Sequence, residues 1–191
     1  LLTFVFLIFG QAKEMLKRFL PFVALLLVYE SFRGLAPQLN SRVEYTWMIT
    51  TDQKLFGSLP THTLQRWFWH GHVMWYDFAF YFTYTLHFVL PFALAILIWK
   101  YRDKYYWQYV TTFLSVSFMG FLTFLAFPAA PPWMAAEKGL ITPIARVSSA
   151  VWTAAGVNDF PSVYNKISPN PVAAVPSLHA AYATLLVIFV Y

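Results

Sequence analysis

The chain has 191 residues, enough for one domain; 59% are hydrophobic, only 11% are charged, and the mean hydropathy is +0.54. A soluble domain carries about 25% charged residues, so this chain lacks the charge to cover a water-facing surface, and the absence of cysteine excludes disulfides, thiolate metal sites and cysteine nucleophiles. The net charge of +5 is too scattered for a nucleic-acid footprint and suits anionic lipid or phosphate instead.

Aromatic residues make up 21%, which fits lipid-facing Phe and interfacial belts of Trp and Tyr. The chain opens in a hydrophobic run, Leu1 to Phe6, without a Met, and ends in another, Leu185 to Tyr191. The first run reads as the tail of a spanning helix; a signal peptide is the alternative, but no small-residue cleavage site follows it. The expectation is a single transmembrane domain over 1–191, truncated at both ends. It is an all-α polytopic transmembrane bundle, with six spans in the intact protein and about five represented here.

A span needs roughly 20 largely apolar residues. The second is expected at about Phe19 to Ala36, with Glu30 and Arg33 spaced to pair near its far end. The first long connection, about Pro37 to His72, holds Thr61 to Trp69, whose Leu64, Trp67 and Phe68 share a face; this predicts a short helix in the headgroup layer. The third span is expected at about Val73 to Trp99 and the fourth at about Tyr106 to Phe127. A second long connection, about Pro128 to Val172, leads to a fifth span from about Val175. The short connections Gln11 to Arg18 and Lys100 to Tyr105 are dense in Lys and Arg, and the seven basic residues elsewhere are diluted over far more chain. The positive-inside rule makes the short connections cytoplasmic. Both long connections, including Ser162 and Asn170, then lie on the extracellular, periplasmic or lumenal side.

The most specific string is Val175-Pro176-Ser177-Leu178-His179-Ala180-Ala181-Tyr182, where the second long connection enters the fifth span. Pro-Ser is a common helix opening, with Ser177 as an N-cap. The free N–H groups of a first turn favour a phosphate. His179 falls in that turn, and an imidazole is suited to protonate a leaving oxygen. The plainer reading is that Pro-Ser only starts a helix and His179 packs.

Pro176-Ser177-Leu178-His179 resembles the Pro-Ser-Gly-His motif of the phosphatidic acid phosphatase type 2 superfamily, with Leu for Gly. With Ala180-Ala181-Tyr182 it is similar to the branch that includes inositol phosphorylceramide synthases. Phe127-Pro128-Ala129-Ala130-Pro131-Pro132-Trp133 resembles the Phe-Pro-x-x-Pro-Pro-Trp segment of that branch. Leu55-Phe56-Gly57 with Pro60-Thr61, and His87-Phe88 followed by Pro91, are weaker matches.

The resemblance implies a membrane enzyme that moves a phosphoryl or phospho-headgroup of a lipid through a phosphohistidine, needing no cofactor and no metal. Its partners would be a lipid phosphate or phospholipid and the bilayer, with no nucleic acid. An aspartate-oriented histidine attacks phosphorus, His179 protonates the leaving group, and water or an alcohol accepts the phosphoryl group. Ser177 would bind phosphate, and Pro131, Pro132 and Trp133 would line the site. Two departures stand out. The family's nucleophile belongs to a later His-x-x-x-Asp string, which these residues lack; His72 and Asp77 are five apart. The nucleophile is therefore expected beyond Tyr191. The superfamily's Lys-x6-Arg-Pro string is also missing, so the phosphate's counter-charge is sought in Arg146, Lys138 and Lys166, although for any single one a solvated loop cation is the preferred reading.

Asp77, Tyr81, Tyr84 and His87 share one face of the third span. This face, with Asp77, Tyr84 and His87, is read as contacting the lipid headgroup or supporting the catalytic histidines, or else as an interhelical hydrogen-bond network; Asp77 is open between the two, and for His87 the interhelical bond is preferred. His62, His70 and His72 lack convincing ligand spacing for a metal. A lipid-phosphate phosphatase is the alternative within the class. Outside it stands a transporter or structural membrane protein, with Glu30 and Asp77 on a substrate pathway.

Overall fold

The computed structural model describes residues 10–159 and 170–191. The run Leu1 to Phe6, Ser162 and Lys166 lie outside the described residues. The helices are α1 (Ala12–Leu39), α2 (Thr46–Phe56), α3 (Pro60–Phe68), α4 (Trp75–Thr85), α5 (Leu90–Tyr101), α6 (Tyr106–Ala126), α7 (Pro132–Glu137), α8 (Val147–Ala154) and α9 (Leu178–Val190). Two 3-10 turns, Leu86–Phe88 and Asp103–Tyr105, precede α5 and α6. The described residues form an all-α membrane bundle.

Two stretches, Ala12–Ala36 and Asp103–Ala126, are long and apolar enough to cross a membrane. The pair α4 and α5 adds a third if its bent halves make one span, and α9 is a shorter apolar helix. The outer stripe of α1 shows Leu16, Leu20 and Leu27 each about 60% exposed, a face suited to acyl chains.

Three expectations need correction. α1 begins at Ala12, not near Phe19, because Lys, Arg, Glu and Met of the basic stretch are good helix formers. The third span is not one helix: α4 and α5 meet at 50° across Leu86–Phe88. Pro91 is the reason, since it has no N–H to offer and its ring crowds the carbonyl one turn earlier, at His87. The first long connection holds a second helix, α2, that was not anticipated; Gly57, at φ 70, ends it in the left-handed region. The short helix expected at Thr61 to Trp69 is present as α3, opened by Pro60.

The core joins α1, α5, α6 and α9 through Phe22, Leu94, Ala95, Ile98, Tyr109, Phe113 and Leu185, among others. Phe113 stacks on Tyr182 at 4.6 Å and meets Phe22 edge-on at 5.6 Å. Away from water a tyrosine hydroxyl needs a partner. Tyr182 pairs with Ser117 (2.8 Å), and Tyr109 donates to the Pro91 carbonyl (2.9 Å).

Contacts at the two ends fix the helix directions. Tyr106 donates to the Arg18 carbonyl, and Arg18 reaches Asp103 at 3.1 Å, so the two short basic stretches share one end. At the other end Asn40 donates to the Leu125 carbonyl, so α1 and α6 run the same way. α9 runs against them, with Leu178 at Gly120 and Phe189 at Tyr109. The long connections gather at the end opposite the basic one. There Ala129 bridges Glu44 on one side and Ala173 on the other, both in parallel. Glu44 donates to the Pro128 carbonyl and accepts from Ala130; Ala129 donates to Val172 and accepts from Ala174.

Candidate active site

α9 starts as the Pro-Ser opening requires. Ser177 is its N-cap and its hydroxyl accepts from the Ala180 N–H at 3.3 Å. The extended lead of α9 is held by the Ala129 row, so Phe127–Trp133 and Val175–Tyr182, more than 40 residues apart, enter the same end of the bundle side by side.

The break before α5 supplies the other half of the site. His179 stacks on Tyr84 with ring centroids 4.4 Å apart and meets His87 at 3.8 Å. The Nδ1 of His87 lies 2.6 Å from the Tyr84 carbonyl. A carbonyl only accepts, so His87 holds its proton on Nδ1 there. The Nε2 of His179 is buried without a hydrogen-bond partner among the described residues. Such a nitrogen costs free energy until a ligand meets it.

The other residues singled out in the sequence are distributed differently. Asp77 is buried, and its carboxylate accepts from the Met74 N–H at 2.8 Å, closing the start of its own helix. It lies roughly 10 Å of helix from Tyr84. Tyr81 accepts from the Trp152 indole at 2.6 Å and so holds α8 against α4. Pro131 precedes α7 and Pro132 opens it. Pro132 lines a cavity of about 250 Å³ with Tyr45, Asp52, Thr61, Ile141 and Val175. Trp133, Ser177 and His179 are not among that cavity's lining residues.

Of the loop cations, Arg146 lies over the Trp133 ring at 4.4 Å and Lys138 over the Tyr45 ring at 4.3 Å. His62 is engaged with Thr142, and Gln65 exchanges two hydrogen bonds with Ala145, so α3 is pinned to the second long connection. At this end the sequence reading passed over Tyr29 of α1 and took Arg33 only as a partner for Glu30. Their signal was present, since Tyr29, Arg33 and Ala36 are spaced 4 and 3 on one helical face. Arg33 does pair with Glu30, at 2.9 Å, as their spacing predicts.

Over 99 residues the chain is 36% identical to a phosphoinositol dihydroceramide synthase of Bacteroides thetaiotaomicron, a match covering 49% of this chain and 32% of that protein. It thus spans about a third of the length of that relative. No solved structure matches the chain. The family model described as the PAP2 superfamily matches residues 46–191, which takes in both proline-bearing strings and the histidine cluster, and the chain therefore belongs to the PAP2 superfamily.

Proposed function

We propose that this chain carries the leaving-group half of a lipid phosphotransferase site, at the end of the bundle where the long connections meet. The observation that carries the reading is the position of His179. It sits in the first turn of α9 with a buried nitrogen unpartnered among the described residues, beside Tyr84 and His87, and the segment leading into α9 is tied to the Pro-Pro-Trp string. In the reaction a P–N bond to a nucleophilic histidine forms as the P–O bond to the leaving lipid breaks. His179 gives its proton to the departing oxygen. An alcohol oxygen then forms a new P–O bond as the P–N bond breaks, and its proton passes to His179, which restores both histidines. The nucleophile belongs to a His-x-x-x-Asp string that the 191 residues do not contain and that this reading places beyond Tyr191.

Ser177 contributes the cap and orients first-turn N–H groups toward the phosphate. Transfer to an alcohol is preferred to hydrolysis because the Pro-Pro-Trp string and the synthase relative point to the same branch. The site is assigned to the non-cytoplasmic face, opposite the basic end.

His179→Gln in the full-length protein should lower turnover roughly 10²- to 10⁴-fold, the usual worth of a general acid. The loss should shrink on an aryl phosphate, whose leaving group needs little protonation. Full activity of His179→Gln on a lipid substrate would refute the assignment. Product release in water alone, with no alcohol acceptor, would instead identify a phosphatase.

A further inference from the structure

We propose that Arg33, on α1, is the cation that holds the substrate's phosphate oxygens beside His179. This rests on the phosphotransferase reading and supplies the counter-charge which that reading lacks.

Three observations converge on Arg33. It lies between Tyr29 and Ala36 on a face that is buried to 2% and 1% exposure at those two positions. That face packs on Phe121 of α6 and on Leu178, the residue before His179, so Arg33 is carried on the helix face that meets the start of α9. Its charge acts on both His179 and His87. Lastly, its donors are only partly used. One terminal nitrogen meets Glu30 at 2.9 Å. Nε is buried without a partner among the described residues; the Tyr29 hydroxyl lies close by, yet neither group makes a well-formed hydrogen bond there.

Arg33 Nε and His179 Nε2 are thus two buried nitrogens that no oxygen of the described residues satisfies. Their complement is an anion with several oxygens, and the planar fork of a guanidinium matches a phosphate. The loop cations Arg146 and Lys138 lie instead over ring faces. Glu30 and Arg33 both precede residue 46, so they fall outside the stretch matched by the family model.

The competing role for Arg33 is structural, a pair with Glu30 that steadies α1. Glu30→Gln/Arg33→Gln separates the two, because it removes both charges and leaves no unpaired carboxylate. The test uses the full-length protein in phosphatidylcholine nanodiscs, titrated with inorganic phosphate or enriched in phosphatidate, with thermal protection as the readout. Wild type should be protected. Arg33→Gln and the double variant should each bind roughly 10- to 100-fold more weakly, the worth of charge-assisted hydrogen bonds. The double variant should still melt near wild type without ligand. Glu30→Gln should bind at least as well as wild type, Arg33→Lys should fall between, and Lys54→Gln, a control in α2, should be unchanged.

Protection by phosphatidate alone assigns the site to a lipid-borne phosphate, and protection by both ligands to one that also takes the free ion; either supports the proposal. A double variant protected like wild type, or a wild type indifferent to both ligands, overturns it. If His179→Gln abolishes turnover while Arg33 variants bind normally, only the role of Arg33 falls. If His179→Gln keeps full turnover, the reading of the reaction falls first.

Discussion

Glu44 shows how much a single side chain does at the loop end. Its backbone joins the row through Ala129, and its carboxylate accepts from the Trp47 N–H, the Thr46 N–H and the Thr46 hydroxyl. These bonds, that from Trp47 foremost, hold its pKa below the ordinary value of 4.5. The folded value lies below the unfolded one. The contribution to stability is therefore complete above 4.5 and is lost as pH falls through the lowered value. Acidification through that window should lower the amide-exchange protection of Thr46 and Trp47. Glu44→Gln should show the lowered protection at neutral pH already. Protection in wild type that stays constant through the titration would count against this account.

Among the elements, the seating of α9 on α6 explains the Leu in Pro-Ser-Leu-His. Gly120 of α6 leaves the space that Leu178 fills: a Cβ added there would stand 2.8 Å from Leu178 Cδ2. The clash is with the end of a flexible side chain, so Gly120→Ala should fold. It should cost about 1–3 kcal/mol of stability as overpacking. It should also lower turnover, because pushing Leu178 aside moves His179. Leu178→Ala in the same chain should recover part of both losses, a coupling that a double-mutant cycle measures. Additive losses would show that the two residues are independent. The bend before α5 was less legible. Pro91 stood in the sequence, and with it the reason for a break, yet the apolar run around it is long enough to be taken as one span. What apolarity alone does not say is that the break turns Tyr84 and His87 toward α9.

For the molecule as a whole, apolar runs of span length announced α1 and α6, and proline and serine announced the start of α9. The helix α2 was hidden because Thr46, Ile49, Thr50 and Thr51 are β-branched and lower its helix propensity. That Tyr84 and His87 could support a catalytic histidine was legible from their shared face, but their meeting with His179 was not. Tyr84 and His87 lie about 90 residues from it, and no spacing rule links separate helices.

The orientation of the bundle remains a proposal with a direct check. The chain has no cysteine, so single substitutions report cleanly. Lys104→Cys should react with an impermeant thiol reagent only after permeabilisation, and Asp159→Cys in intact cells. The reverse pattern would invert the topology.

The row through Ala129 also has a meaning in time. Its three members stand at positions 44, 129 and 173, and a ribosome delivers them in that order. When Ala129 emerges it finds Glu44 already made, but its second neighbour is still dozens of residues from synthesis. The lead into His179 has nothing to align with until that last rung closes. The end of the bundle that holds His179 is thus a late product of biosynthesis, assembled only as the final described helix arrives.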